Sequence, residues 1–78
     1  MIEFQVDLNK VEDVKKFVRC ASKYDVDIIV HNQKRNYAVD ACSLMAIFSL
    51  DLSNPIIVEM HDHEAAELFK DDIYGLLV

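Results

Sequence analysis

Residues Ile2 to Leu8 alternate, with apolar Ile2, Phe4, Val6 and Leu8 and polar Glu3, Gln5 and Asp7. A period of two predicts a strand with one buried and one solvated face. The period then changes. Val11, Val14, Val18 and Ala21 recur at helical spacing, Phe17 and Cys20 widen the stripe, and Lys10, Lys15, Lys16, Arg19 and Lys23 fall largely off it. That pattern predicts an amphipathic helix of about four turns, ending near Ser22 to Tyr24. Asn9, with Glu12 three residues on, predicts a capping box at its start.

Val26 to Val30 is rich in β-branched residues and reads as a second strand. His31 to Asn36 is polar and fits a hairpin connection, without the Asn-Gly signature of a two-residue turn. Tyr37 to Val39 begins a short third strand. A nearly apolar helix follows at about Ser43 to Asp51. Ala46, Ile47 and Leu50 share one of its faces, and Leu44, Met45 and Phe48 fall on another. A helix this short at the surface of a small domain buries only one face, so the other is a candidate docking patch. Leu52-Ser53-Asn54-Pro55 is a turn, and Ile56 to Met60 a fourth strand whose leading proline removes no central ladder bond. Asp62 caps a last helix with Ala65, Phe69, Ile73 and Leu76 inward, and Gly75 frays its end. The order β-α-β-β-α-β-α predicts an α+β fold for one domain over residues 1–78. This is an open-faced sandwich with three helices on one face of a four-stranded, largely antiparallel sheet. The ferredoxin-like order of small-molecule sensors is the alternative architecture. A long second helix packed like the first would mark it.

Composition narrows the function classes. A net charge of −6, with Lys15-Lys16 and Lys34-Arg35 as isolated basic pairs, disfavours nucleic-acid binding. No apolar run approaches the ~18 residues that span a membrane, and the chain opens directly into a strand-like run rather than a leader. The expectation is a cytoplasmic protein with reduced thiols at Cys20 and Cys42, although the sequence leaves a disulfide between them open.

Two segments carry a family resemblance. Ala21-Ser22-Lys23-Tyr24 followed by Asp27-Ile28 resembles the end of the first helix and the entry to the second strand of the histidine-containing phosphocarrier (HPr) family. Ser43-Leu44-Met45-Ala46-Ile47-Phe48-Ser49-Leu50 more closely resembles that family's S-I-M-G-x-x-S-L segment. The likeness runs over roughly residues 2 to 75 and implies the HPr-like open-faced sandwich. In the family, a histidine in a G-x-H-A-R-P motif near the start of the first helix accepts phosphate from a phosphoenolpyruvate-dependent enzyme. Counting back from Tyr24, that histidine falls at Lys10, and the alanine, arginine and proline fall at Val11, Glu12 and Asp13. A phosphohistidine needs an imidazole nucleophile and a guanidinium to hold the anion. A lysine is protonated at neutral pH and two carboxylates repel phosphate, so no phosphohistidine transfer is expected at this position.

The resemblance also implies that Ser43 is the residue which a dedicated kinase phosphorylates in some members. It implies further that Leu44, Met45 and Phe48 form a patch contacting protein partners. Those partners would be regulators or phosphotransferase-system proteins. As a residue, Ser43 is equally an ordinary helix N-cap. The chain is expected to be a non-enzymatic binding module without a cofactor, monomeric or weakly dimeric. The alternative is a carrier using another residue, such as His61 or His63. His61-Asp62-His63-Glu64 is the best metal candidate, but a structural site usually needs four ligands and a solvated turn is the expectation. His31 reads as exposed and unpartnered, and Cys42 as a thiol without a catalytic base.

Overall fold

A computed structural model describes all residues, Met1 to Val78. The elements are β1 (Ile2–Val6), α1 (Val11–Ala21), β2 (Ile29–His31), β3 (Ala38–Asp40), α2 (Leu44–Phe48), β4 (Ile56–Met60) and α3 (His63–Asp72), followed by a 3-10 turn at Tyr74–Leu76. The sheet order is β1-β4-β2-β3, and every pair is antiparallel. β4 is therefore central and both β1 and β2 run against it, with Ile2 opposite Met60 and Ile29 opposite Glu59. This is the HPr-like open-faced α+β sandwich. The ferredoxin-like alternative fails on its own criterion, because α2 is only five residues long.

The core lies between the sheet's inner face and the helices. Val6, Val30, Val39, Val58 and Met60 meet Val14, Phe17, Ile47, Ala66 and Phe69 there, and no polar side chain is buried among them. Phe69 is its hub. Its ring sits 5.4 Å from Phe17, 5.9 Å from Tyr24 and 6.2 Å from Phe4, centroid to centroid, in tilted and edge-on geometries that suit aromatic quadrupoles. The alternation expected over Ile2 to Leu8 is realised in burial, with Val6 and Leu8 buried and Glu3 and Gln5 exposed, although β1 itself ends at Val6.

Several boundaries differ from the expectation, each for a local reason. The Asn9 capping box does not form. Lys10 holds the extended N-cap conformation without a side-chain cap, and its carbonyl accepts from the amides of Asp13 and Val14. α1 stops at Ala21 because Ser22 turns its hydroxyl back onto the Val18 carbonyl at 2.8 Å. Val11, assigned to the buried stripe, is 52% exposed, since it precedes the turn that packs on the sheet. β2 begins at Ile29 rather than Val26, and β3 covers Ala38–Asp40 rather than Tyr37–Val39. α2 ends at Phe48, where the Ser49 hydroxyl bonds the Ala46 carbonyl. Both cysteines are free thiols, Cys20 buried and Cys42 exposed.

The solvent face of the sheet is not bare. The β2–β3 connection folds back across it. Arg35, at φ 57°, donates two bonds to the Glu3 carboxylate on β1, at 2.6 and 2.7 Å. Gln33 donates to the Pro55 carbonyl at 2.6 Å. Glu3 is held below the usual carboxylate range by the Arg35 hydrogen bonds and charge, and Arg35 is raised in turn.

Candidate functional site

Three segments meet at one end of the sheet: the end of β1 with the start of α1, the α2 helix, and the turn before β4. Leu8, Asn9, Lys10, Val11, Val14, Phe48, Leu52 and Ser53 line a shallow groove of about 280 Å³ there. Lys10, where the resemblance puts the family's histidine, and an aromatic of the candidate patch thus share one concavity. Lys10 is exposed at the mouth of α1, whose first turn carries Glu12 and Asp13 and whose N-terminus has no side-chain cap. Backbone amides at a helix start favour an anion, but two carboxylates in the same turn oppose one.

Ser43 is the N-cap of α2, and its Oγ accepts from the Ala46 amide at 3.3 Å. Asp40 sets up this cap from the preceding strand. Its carboxylate accepts from the Cys42 amide at 2.8 Å and its carbonyl from the Ser43 amide at 3.1 Å. The first turn of α2 has no acidic residue. The two faces of the helix separate as the spacing requires. Ile47 and Leu50 are buried, Met45 is 79% exposed and Phe48 41% exposed. Leu44 differs from the expectation: it is half-buried and packs against the core, so the exposed patch is Met45 and Phe48 with Leu44 at its edge. Val11 extends the patch onto α1, and Lys15 and Arg19, both exposed, continue the Val11 stripe at four-residue intervals. A basic rim therefore borders an apolar patch on a chain of net charge −6.

The other candidates lie elsewhere. His61 and His63 flank the Asp62 cap, whose carboxylate accepts from the Ala65 amide at 2.9 Å. They sit beyond the end of β4 that faces Ile2, whereas Lys10 follows the opposite end of β1, roughly 15 Å of strand away. No group of three His, Cys, Asp or Glu side chains is arranged to hold a metal ion. His31 corrects its sequence reading. It lies within β2 on the sheet's outer face, its side chain only 16% exposed, with Nε2 2.9 Å from a Glu59 carboxylate oxygen. Alternation hid this pair, because the residues are 28 positions apart in sequence and become neighbours only when β2 joins β4. No helix is long and apolar enough to cross a membrane.

A family model described as the PTS HPr component phosphorylation site matches residues 12–71. Among solved structures, the chain is similar to HPr-C-His from Thermoanaerobacter tengcongensis, at 27% identity over 96% of this chain and 93% of that one, with a TM-score of 0.75. It is also similar to the phosphocarrier protein HPr from Bacillus anthracis strain Ames, at 26% identity over 91% of this chain and 92% of that one, with a TM-score of 0.62. No curated protein matches the chain.

Proposed function

Since the chain belongs to the HPr phosphocarrier family of the phosphotransferase system, we propose that it is a member without phosphohistidine chemistry, which works as a non-enzymatic module binding other proteins through α2 and the start of α1. The observation that carries this reading is the groove lined by both Lys10 and Phe48, Lys10 being the residue that the resemblance aligns with the family's histidine. The apolar surface is present there and the imidazole is not. Partners are phosphotransferase-system proteins or regulators. The basic rim of Lys10, Lys15 and Arg19 suits a partner surface that is acidic around an apolar socket. Ser43 is the regulatory position in this reading. A phosphate there would keep the favourable helix-end interaction but sit beside Asp40, so it would change the patch's charge more than the helix's stability.

The deciding experiment is phosphorylation by a phosphoenolpyruvate-dependent phosphotransferase, followed by intact-mass analysis. An unlabelled chain that still binds phosphotransferase-system proteins supports the reading. An acid-labile phosphate overturns it, and mapping to His61 or His63 would establish the carrier alternative. Intact mass of the protein from its own host under varied carbon supply tests Ser43: one phosphate at that residue supports a serine switch. None under any condition leaves Ser43 as a cap.

A further inference from the structure

We propose that the β2–β3 loop, residues 32–37, is a releasable strap across the outer face of the sheet, which covers Ile57 when closed and exposes it when open. The inference does not rest on the docking reading, since Gln33 and Arg35 cross the outer face of the sheet; only Tyr37, at the base of the loop, reaches the helical side, where its hydroxyl meets that of Ser49 at 3.5 Å.

Ile57 is the starting point. Its strand neighbours Val58 and Ile56 point into the core, so Ile57 points outward, yet it is only 5% exposed. It is opposite Gln5 on one side and His31 on the other. Gln33 and Arg35 leave β2's end of the sheet and reach Gln5, Glu3 and Pro55, and so pass over β4 and its outward residues Ile57 and Glu59. The strap thus ties two strands that are not neighbours.

Its attachment is of a kind that lets go. Every bond from the strap to β1 and to Pro55 comes from the side chains of Gln33 and Arg35, both exposed residues. Across its base the backbone contributes one long bond, from the Asn32 amide to the Tyr37 carbonyl at 3.4 Å. Two features of the closed form oppose it. Arg35 occupies the left-handed region, which is unfavourable for a residue with a Cβ. His31, beside Ile57, has Nδ1 buried with no hydrogen-bond partner. Water admitted by a lifted strap would satisfy that nitrogen. Ion pairing and the cover over Ile57 hold the strap down, while backbone strain and an orphaned imidazole nitrogen push it up. Because the Arg35–Glu3 pair is half exposed, salt shifts that balance toward opening.

Thiol labelling tests this. In a Cys42→Ser background, Ile57→Cys places a reporter beneath the strap, and Cys20, buried in the core, reports opening of the whole domain. The expected result is slow labelling at position 57 in dilute buffer. Addition of Glu3→Gln, or about 0.5 M salt, accelerates it by about tenfold with Cys20 unchanged. The strap is refuted if neither perturbation changes the rate at position 57, or if Cys20 accelerates in step. Should Ile57→Cys fail to fold, solvent paramagnetic broadening of the Ile57 methyl groups in the unsubstituted chain, with and without Gln33→Ala, reads the same opening. Broadening that does not respond to Gln33→Ala would equally refute it.

Discussion

Ser43 and Phe48, at the two ends of α2, have opposite energetic roles. Phe48 is 41% exposed, so its loss removes little core contact. Phe48→Asp is expected to abolish binding to phosphotransferase-system partners while changing folding stability by less than about 1 kcal/mol. Titration calorimetry alongside urea denaturation separates the two effects, and an unfolded variant would assign Phe48 to the core instead. Ser43 is a structural cap whatever else it does. Ser43→Ala should cost about 1 kcal/mol through the lost bond to the Ala46 amide, whereas Ser43→Asp retains a capping oxygen and should be close to neutral for folding. If Ser43→Asp weakens partner binding without weakening the fold, negative charge at that cap is the regulatory signal.

At the level of elements, the turn that follows α1 is tied to the end of α3 by two polar contacts with one carboxylate. The Tyr24 hydroxyl donates to Asp72 at 2.5 Å, and Lys23 pairs with the same carboxylate at 3.0 Å. The hydrogen bond from Tyr24, then that from Lys23, lowers Asp72, while the bond to Asp72 and then burial push Tyr24 up to about 12. The signs define a window. Asp72 is depressed on folding, so its contribution is present above the ordinary carboxylate pKa of about 3.9 and fades as pH falls through the folded value. Tyr24 is raised, so its contribution is complete below the ordinary phenol value of about 10 and is lost as pH rises toward 12. The destabilisation caused by Tyr24→Phe should therefore be flat across neutral pH and shrink at both extremes, as thermal melts over a pH series would show. Neither this tie nor the His31–Glu59 pair was legible in the sequence, because each joins residues 28 or more positions apart. The element types were legible, because period two and period 3.6 are written directly into β1, α1 and α3. Boundaries were less so. Lys10 displaced Asn9 as the cap, and Ser22 and Ser49 ended their helices through hydroxyl bonds that depend on local geometry.

On the scale of the whole molecule, stability rests on a small core centred on Phe69. A chain of this size is stable by roughly 4–12 kcal/mol. Phe69→Ala would remove the ring that Phe4, Phe17 and Tyr24 all contact and should cost about 3–5 kcal/mol, a large share of that total, and lower the melting temperature accordingly. Circular dichroism melts check this directly. Charge is distributed unevenly over the same fold: Lys15, Lys16 and Arg19 project from α1 on a chain of net charge −6. Partner binding through that side should weaken as salt rises, mainly through a slower association rate. The sequence by itself determined the order and type of the elements, the opposition of Ile47 and Leu50 to Met45 and Phe48 on α2, and the absence of histidine from the start of α1, because these depend on periodicity and residue identity along the chain. Only the tertiary structure decided that Leu44 turns inward, that Lys10 and Phe48 share a groove, and that Arg35 straps the sheet to Glu3. Those facts follow from which distant segments the antiparallel order β1-β4-β2-β3 brings within a few ångströms, and no local pattern encodes that choice.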